Sequence, residues 1–560
     1  MSTDDSKIWI TGEVRLDGRR DLIAKLKLSE TPDDAELVLH AYRTWKEDCV
    51  KHLIGDFAFA IWDGARQQFF CARDQLGVRQ FFYSYANNTF SFGNTLNSLR
   101  PHVSGELNEL AIADFLVFGL NQDPSTTIFA GIRRLPKAHT LTVSRDGIRI
   151  NEYWTPTISP VHYKTDADYS EHFTELLTHA VEDRLRVPNV SVLMSGGLDS
   201  SAIAAIAARK NVAIKAYCVV YDSAFPDEER KYATTVAEHL DIPIEFLDGN
   251  TINQRDETNT GAAPEPFDVE PIYRVSSELL RRSSSHARVA LTGWDGDTFL
   301  NETPRHSFTH SLKTGNLPRL LFDLTRFVYF QHGPPPIGLR THWQRWRNPH
   351  GNRPPFPAWL NDDFARRHNL HERWRDVNAP RPTHPTRPRL FNTLNSPHWD
   401  ALMSRHDAGV TLLPLEVRHP LIDVRLVDYL LGLPVIPWLL DKTILRKAMT
   451  GILPDAVRKR PKSPLASDPG LLLRRTRKFQ EIDEFIPVSA INAYVDRKSI
   501  PRVSEEVNSI DLSINLRPFC LNQWLAYSQS SGATNAIGYS FEQNRSNPTT
   551  QKTLHVSQAR

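Results

Sequence analysis

Up to about residue 155 the apolar residues fall into short strand-like runs, interrupted once by a helical pattern. Ala35, Leu37, Val38, Ala41, Tyr42 and Trp45 lie near helical spacing and predict a helix over 33–50. Asp33 and Asp34 suit its start, where the helix dipole favours negative charge. Strands are predicted over 57–62 and 68–72, joined by the turn Asp63-Gly64-Ala65-Arg66. A second hairpin is expected across Asn87-Asn88, and a third across Arg145-Asp146-Gly147. Residues 156–168 are polar, contain proline and read as a linker.

From Tyr169 the texture changes. Short apolar runs at 190–194, 214–221, 244–247 and 288–292 alternate with helical patterns. That alternation predicts a parallel sheet with helices on both faces. In such sheets ligands bind at the carboxyl ends of the strands, and the segments 195–201 and 293–297 both fall at such ends. Residues 300–400 are rich in Arg, His, Trp and Pro and are expected to form a basic, loop-rich insertion. It is either a solvated surface or a face for acidic peptides or phosphates. His306 and His310 are one helical turn apart, but no third metal ligand accompanies them. Residues 528–560 are polar and predict a disordered tail. The resulting division is 1–155, a linker 156–168, a second domain 169–527 and the tail.

Composition narrows the classes. The chain has 560 residues, 40% of them hydrophobic, and a net charge of +2. That balance argues against a dedicated nucleic-acid binder. The four cysteines, Cys49, Cys71, Cys218 and Cys520, have neither metal-ligand spacing nor a disulfide pattern, which suits a reducing cytoplasm. The N-terminus lacks the pattern of a signal peptide. The longest apolar stretch, around 429–440, is broken by Pro434 and Pro437 and is too short to span a bilayer.

The densest chemistry lies in Ser195-Gly196-Gly197-Leu198-Asp199-Ser200-Ser201. An apolar strand precedes it and a small-residue helix follows. Such a turn offers backbone N–H groups and a helix N-terminus to an anion. Asp199 beside phosphates calls for a metal ion between them. A Walker loop would need a Gly-Lys-Ser/Thr ending, and a nucleophile elbow would need glycine at position 193, which is Leu. The pattern resembles the pyrophosphate loop of ATP pyrophosphatases.

Further segments extend that resemblance to the asparagine synthetase superfamily. In the N-terminal part these are Thr11-Gly12-Glu13, Asp33-Asp34-Ala35-Glu36, the run 53–63, the run 72–79 and the run 129–136. In the second part they are Leu291-Thr292-Gly293-Trp294-Asp295-Gly296-Asp297, the runs 416–423 and 441–446, and Arg458-Lys459-Arg460-Pro461-Lys462-Ser463. The resemblance implies an N-terminal glutaminase-like, Ntn-type β-rich domain. An α/β ATP-pyrophosphatase (adenine nucleotide α-hydrolase-like) synthetase domain follows it. Relatives with a working glutaminase use an N-terminal cysteine; position 2 here is Ser, and few residues precede Thr11. The first domain is therefore expected to be a scaffold without a catalytic cysteine, with the amine supplied by the substrate.

The implied roles are specific. ATP would be held by Ser195, Gly196, Gly197, Leu198, Asp199, Ser200, Ser201 and Gly293, with Mg2+ on Asp199 and Asp297. Lys462 would neutralise charge on the reacting phosphate. Lys442 and Arg446 share a helix face at i,i+4 spacing. Glu416 is either catalytic or part of a structural Glu–Arg–Asp network. Trp294 replaces a family Glu or Tyr and cannot act as a base, which leaves Asp295 as the adjacent candidate.

Within the superfamily the likeness is greatest to lasso-peptide cyclases (macrolactam synthetases). Arg15-Leu16-Asp17-Gly18-Arg19, Pro437-Trp438 and Arg460-Pro461-Lys462-Ser463-Pro464 carry it. It implies a precursor peptide as substrate, with a leader-peptide protease and a leader-binding protein as partners, and neither nucleic acid nor membrane. Two alternatives stay open: a small-molecule amide synthetase of the β-lactam-forming kind, and a non-catalytic ATP-binding scaffold.

Overall fold

The computed structural model describes residues 7–156, 159–221, 228–253, 263–267, 273–331, 333, 354–379, 383–461, 480, 482–506 and 508–534. The first domain is built on a five-stranded antiparallel sheet. Its strands are β1 (Ile8–Asp17), β2 (Ile54–Asp63), β3 (Gln68–Arg73), β7 (His139–Ser144) and β8 (Gly147–Glu152), in the order β1-β2-β3-β7-β8. Successive side chains of a strand point to opposite faces, and β2 is buried on both. Phe57, Phe59 and Ile61 pack with Leu37, Val38, Ala41 and Tyr42 of the helix Asp34–Trp45. Ala58 and Ala60 pack with Phe81, Tyr83 and Leu141 on the other face. A small sheet of β4 (Phe82–Ala86), β5 (Thr89–Gly93) and β6 (Arg133–Arg134) covers that side.

The expected helix ends earlier than predicted, at Trp45, and continues as a 3-10 turn over Lys46–His52. Asp33 caps it, accepting from the Glu36 N–H while Glu36 reaches back to the Asp33 N–H. That reciprocal pair satisfies two otherwise orphaned donors.

The second domain holds five parallel strands: β9 (Asn189–Leu193), β10 (Ala213–Val220), β11 (Ile244–Asp248), β12 (Val289–Thr292) and β13 (Glu416–Arg418). Their order is β11-β10-β9-β12-β13. From β9 the chain winds outward through β10 and β11, then returns to the other side of β9 as β12. The crevice between β9 and β12 is therefore a topological switch point, where open α/β sheets bind ligands. Val190, Val192, Ile203, Leu291, Leu426 and Trp438 are all buried in the core around this sheet.

Three sequence expectations need correction. The 300–400 region is helical where described, with helices at Pro304–Lys313, Leu317–Gln331, Asp362–Arg367, Leu370–Val377, Pro388–Leu394 and Pro397–Ser404. Part of it is core: Trp359, Phe364 and Leu370 pack with Ile112, Phe115 and Leu116 of the helix Glu109–Phe118. The helix Ser509–Thr534 runs past residue 528, where a disordered tail was expected. The linker ends sooner than residue 168, because a capping box on Thr165 and Asp168 starts the helix Asp166–Glu182. Residues 535–560 lie outside the described residues.

A buried ionic cluster joins the two domains. Arg184 is 1% exposed. Its guanidinium lies 2.9 Å from Asp423 and 3.2 Å from Asp17 of β1. Arg15 pairs with Asp17 and, at 2.5 Å, with Asp56 of β2. Arg425 closes the far side, 2.8 Å from Asp183 and 2.9 Å from Asp423.

Candidate active site

Strand β9 hands the chain to the loop 195–201 in a short series of bonds. The Met194 N–H donates to the Tyr217 carbonyl at 2.9 Å, the last link to β10. The Ser195 N–H then donates to Ser200 Oγ at 3.1 Å, folding the loop back on the helix it opens. Gly196 takes φ +63°, and a Cβ there would stand 2.8 Å from the Ala233 nitrogen, so only glycine fits. Gly197 caps the helix Leu198–Ala208, and the Ser201 N–H donates to its carbonyl. The first-turn N–H groups of this helix have no intrahelical acceptor and face the crevice end of the sheet.

The loop after β12 meets this one backbone to backbone. A Cβ on Gly293 would lie 2.4 Å from the Ser200 nitrogen, and one on Gly296 2.3 Å from Asp199 Cγ. Two glycines thus set the approach of two carboxylates, Asp199 and Asp297. Gly296→Ala is expected to destabilise the protein by about 1–3 kcal/mol, the usual cost of overpacking, and to lower ATP turnover with it. A thermal melt and a pyrophosphate assay on that variant check this; wild-type values in both would show that the loops need no such contact.

Lys442 completes the cluster. Its Nζ lies 2.5 Å from Asp199 Oδ2 and 2.8 Å from Asp297 Oδ1. Burial alone would lower its pKa, but the two carboxylates outweigh burial and hold it above the ordinary lysine value. The trio carries one net negative charge. Its oxygen donors suit a hard divalent cation, and magnesium commonly takes one or two carboxylates plus substrate phosphates. Among the described residues no group of three or more His, Cys, Asp or Glu forms a separate metal site.

Asp295 takes a left-handed conformation, φ +63°, at the start of the helix Gly296–Leu300. Burial raises its carboxyl pKa; a hydrogen bond from Thr298 and the charge of Arg389 oppose this, and Asp297 and Asp199 add to it. A carboxyl tuned upward beside the reacting centre is the kind of group that takes a proton.

Glu416 is not brought to this cluster. It starts β13, opposite Val289, the first residue of β12, at the amino ends of the strands. Its carboxylate is held by Arg79 and by Arg418 at 2.6 Å, with Arg15 at 3.9 Å. Burial would raise its pKa, but these guanidiniums outweigh burial and hold it below the usual range. Of the two options for Glu416, these contacts favour the structural one, in which it ties the two domains together.

Lys462 lies outside the described residues. Its approach does not. Arg446 donates to the Arg458 carbonyl at 2.5 Å and to the Arg460 carbonyl at 2.9 Å. Arg460 stacks over Tyr232 at 4.0 Å and pairs with Glu229 at 3.3 Å, on the helix that flanks Gly196. Lys442 and Arg446 thus do different work despite their spacing: one joins the acids, the other anchors the segment leading to Lys462.

Sequence inspection missed His406, and took in His419 only as part of the run 416–423. The Trp294 ring meets His406 edge-on at 5.4 Å and His419 at 5.9 Å, and the two imidazoles lie 5.1 Å apart. Burial pushes His406 down to about 4 and His419 well below the ordinary value, so both are neutral at pH 7. No spacing signal pairs them, because they come from separate segments.

The comparisons with known proteins agree with this geometry. A model of the asparagine synthase family matches residues 172–509, and one of the glutamine amidotransferase domain matches residues 3–154. The chain is 30% identical over 487 residues to the glutamine-hydrolysing asparagine synthetase 3 of Bacillus subtilis, covering 80% of this chain and 73% of that one. It is 24% identical over 495 residues to asparagine synthetase 1 of the same organism, covering 82% and 76%. An NH3-dependent NAD synthetase from Campylobacter jejuni matches at 10% identity over 40% of this chain and all of that one, with a TM-score of 0.19, which decides nothing. Among the described residues no helix is long and apolar enough to cross a membrane. With a family match over most of its length and two loops that converge on paired carboxylates, this chain belongs to the asparagine synthetase family of ATP-dependent amide-forming ligases.

Proposed function

We propose that the protein is a macrolactam synthetase of the lasso-peptide cyclase kind, which joins a peptide's side-chain carboxylate to its own N-terminal amine. One observation carries the choice over glutamine-dependent amidation. All four cysteines of the sequence are buried, Cys49 and Cys71 completely, Cys218 and Cys520 to within 1% and 4%. Burial pushes the Cys49 and Cys71 thiols far above the ordinary value. The nucleophile in cysteine chemistry is an accessible thiolate, and the burial of all four thiols weighs against attack on glutamine. On the ATP side, the Asp199–Asp297–Lys442 cluster and the paired glycine loops support the reading.

The chemistry would run in two steps. An Asp or Glu carboxylate of the peptide attacks the α-phosphorus of ATP, and pyrophosphate leaves toward the N–H groups of the 195–201 loop. Magnesium, held by Asp199 and Asp297, would supply the charge neutralisation that this departure needs. The peptide's α-amine then attacks the acyl-adenylate, AMP leaves, and Asp295 takes the amine proton. Lys462 is assigned to the phosphate and the later oxyanion. A free α-amine has a pKa near 8, so keeping it neutral at pH 7 costs little. Pre-folding the peptide so that its two ends meet is the larger contribution, roughly 7–11 kcal/mol for well-oriented intramolecular reactions. A leader-peptide protease and a leader-binding protein are the partners this role calls for.

The test is glutamine independence. With ATP, magnesium and short acidic peptides, pyrophosphate release is expected to be unchanged by added glutamine, with no glutamate formed. Glutamate produced in step with pyrophosphate would return the protein to ordinary amidation.

A further inference from the structure

Between the domains lies a cavity of about 330 Å³, within the range of small-ligand pockets. Phe82, Phe115 and Phe118 form apolar wall, and Gln80 reaches it from the chain just before β4. Gln80 is 2% exposed, and among the described residues neither its carbonyl oxygen nor its amide nitrogen has a hydrogen-bond partner. Exchanging the two atoms repairs nothing, since both are unmatched. Buried polar groups are nearly always paired, so each exception needs a cause.

The other polar groups of the cavity narrow that cause. Arg134 is already held by Glu265 at 2.5 Å and lies over the Phe82 ring at 5.3 Å. Glu265 also accepts from the Ile128 N–H at 2.9 Å. Arg134 and Glu265 are thus matched to each other, and a carboxamide with both ends unmatched calls for a partner with one donor and one acceptor side by side. A peptide residue in extended conformation offers that: its N–H and C=O point to the same edge. One segment links the cavity to the second loop. Ser404, Arg405 and Asp407 line it, and the ring of His406, between them in sequence, rests against Trp294 of the second loop.

The geometry points to this cavity as the seat of the substrate's peptide backbone, with Gln80 pairing to the N–H and C=O of one extended residue. The inference rests on the macrolactam synthetase proposal and deepens it. Gln80 is then a binding and specificity residue: it selects a peptide over a free amino acid, and the aromatic wall takes the neighbouring side chains.

The experiment uses the full chain with magnesium and a non-hydrolysable ATP analogue. The probe is a mixture of short synthetic peptides, each with a free N-terminus and one internal acidic residue, scored by equilibrium dialysis and mass spectrometry. Wild type is expected to retain a subset. Gln80→Leu is expected to bind that subset roughly tenfold more weakly, the loss of two matched hydrogen bonds. Its melting temperature should hold or rise, because an unmatched polar group is removed from the free protein. In the best-retained peptide, replacing amides by esters one at a time should weaken binding to wild type at one position, and leave binding to Gln80→Leu unaffected there. Equal affinity for both proteins, or no peptide retained by wild type, overturns the inference. In a parallel assay with ATP in place of the analogue, no pyrophosphate release with a retained peptide would sink the macrolactam proposal while the peptide seat stands. Peptide-driven release indifferent to Gln80→Leu would do the reverse.

Discussion

Replacing Lys442 by methionine is expected to slow pyrophosphate release by roughly 10²–10³-fold, about 3–4 kcal/mol of barrier, the scale of a lost oriented electrostatic contact. Lys442 stands between Asp199 and Asp297, at 2.5 and 2.8 Å. Without it two carboxylates face each other across touching loops, and the site turns from one net negative charge to two just where a triphosphate must arrive. Like charges so placed cannot both ionise easily, and one pKa rises. A raised carboxyl pKa means that the proton is kept to higher pH. The variant's residual activity should therefore climb with pH through the weakly acidic range, where wild type is already flat. Lys442→Arg should rescue little, since a planar guanidinium does not replace a compact ammonium in so short a contact. The measurement is the pH profile of pyrophosphate release for the three proteins. Equal rates would remove Lys442 from the site.

Arg184→Met is expected to lower the unfolding free energy by about 3–5 kcal/mol, because it strands buried carboxylates without their counterion. Asp423 and Asp17 touch this guanidinium, and both are essentially unexposed. The effect has a pH signature. Burial would raise the Asp56 pKa, but Arg15, Arg184 and Arg79 outweigh burial and hold it at about 2. Asp423 also lies below its ordinary value, burial being outweighed by Arg425 and Arg184, whereas burial keeps Asp17 above its ordinary value despite Arg15 and Arg184. A depressed carboxylate stabilises the fold above its unfolded pKa, near 4, and that contribution is lost as pH falls through the folded value. The gap between wild type and variant should thus be full at pH 7 and shrink as pH falls from about 4 toward about 2. Denaturant titrations at pH 7 and at acid pH check it. An unchanged midpoint at pH 7 would mean that the cluster does not hold the domains. Arg184→Met combined with Asp423→Leu should recover part of the loss, since an apolar replacement of a whole buried pair is far cheaper than breaking it.

Much of this was legible in the residues. The hairpins of the first domain showed as short apolar runs around Asp63-Gly64, Asn87-Asn88 and Asp146-Gly147, because turn chemistry and strand periodicity are local. The loops 195–201 and 293–297 were legible for the same reason: their glycines, serines and acids are contiguous. What escaped depends on distance in space. Strand β1 was not predicted, and its residues entered only as likenesses, since its end carries Arg15 and Asp17 into a buried ionic cluster rather than into an apolar core. The helices of the 300–400 region were hidden by proline and arginine, and only packing reveals that Trp359 and Arg387 are interior. Glu416 lies in a segment with the right wording, but wording does not tell which end of a strand a residue occupies. His406 and Gln80 had no signal at all; one gained its place from a ring contact with Trp294, the other from a cavity between domains.

The most direct measurement is mass spectrometry of acidic peptides with free N-termini after incubation with the protein, ATP and magnesium, alongside pyrophosphate release. The expected result is pyrophosphate released only with peptide, and a product lighter by one water and resistant to aminopeptidase. Pyrophosphate released with free aspartate or another small carboxylate, and no dehydrated peptide, would contradict macrolactam formation.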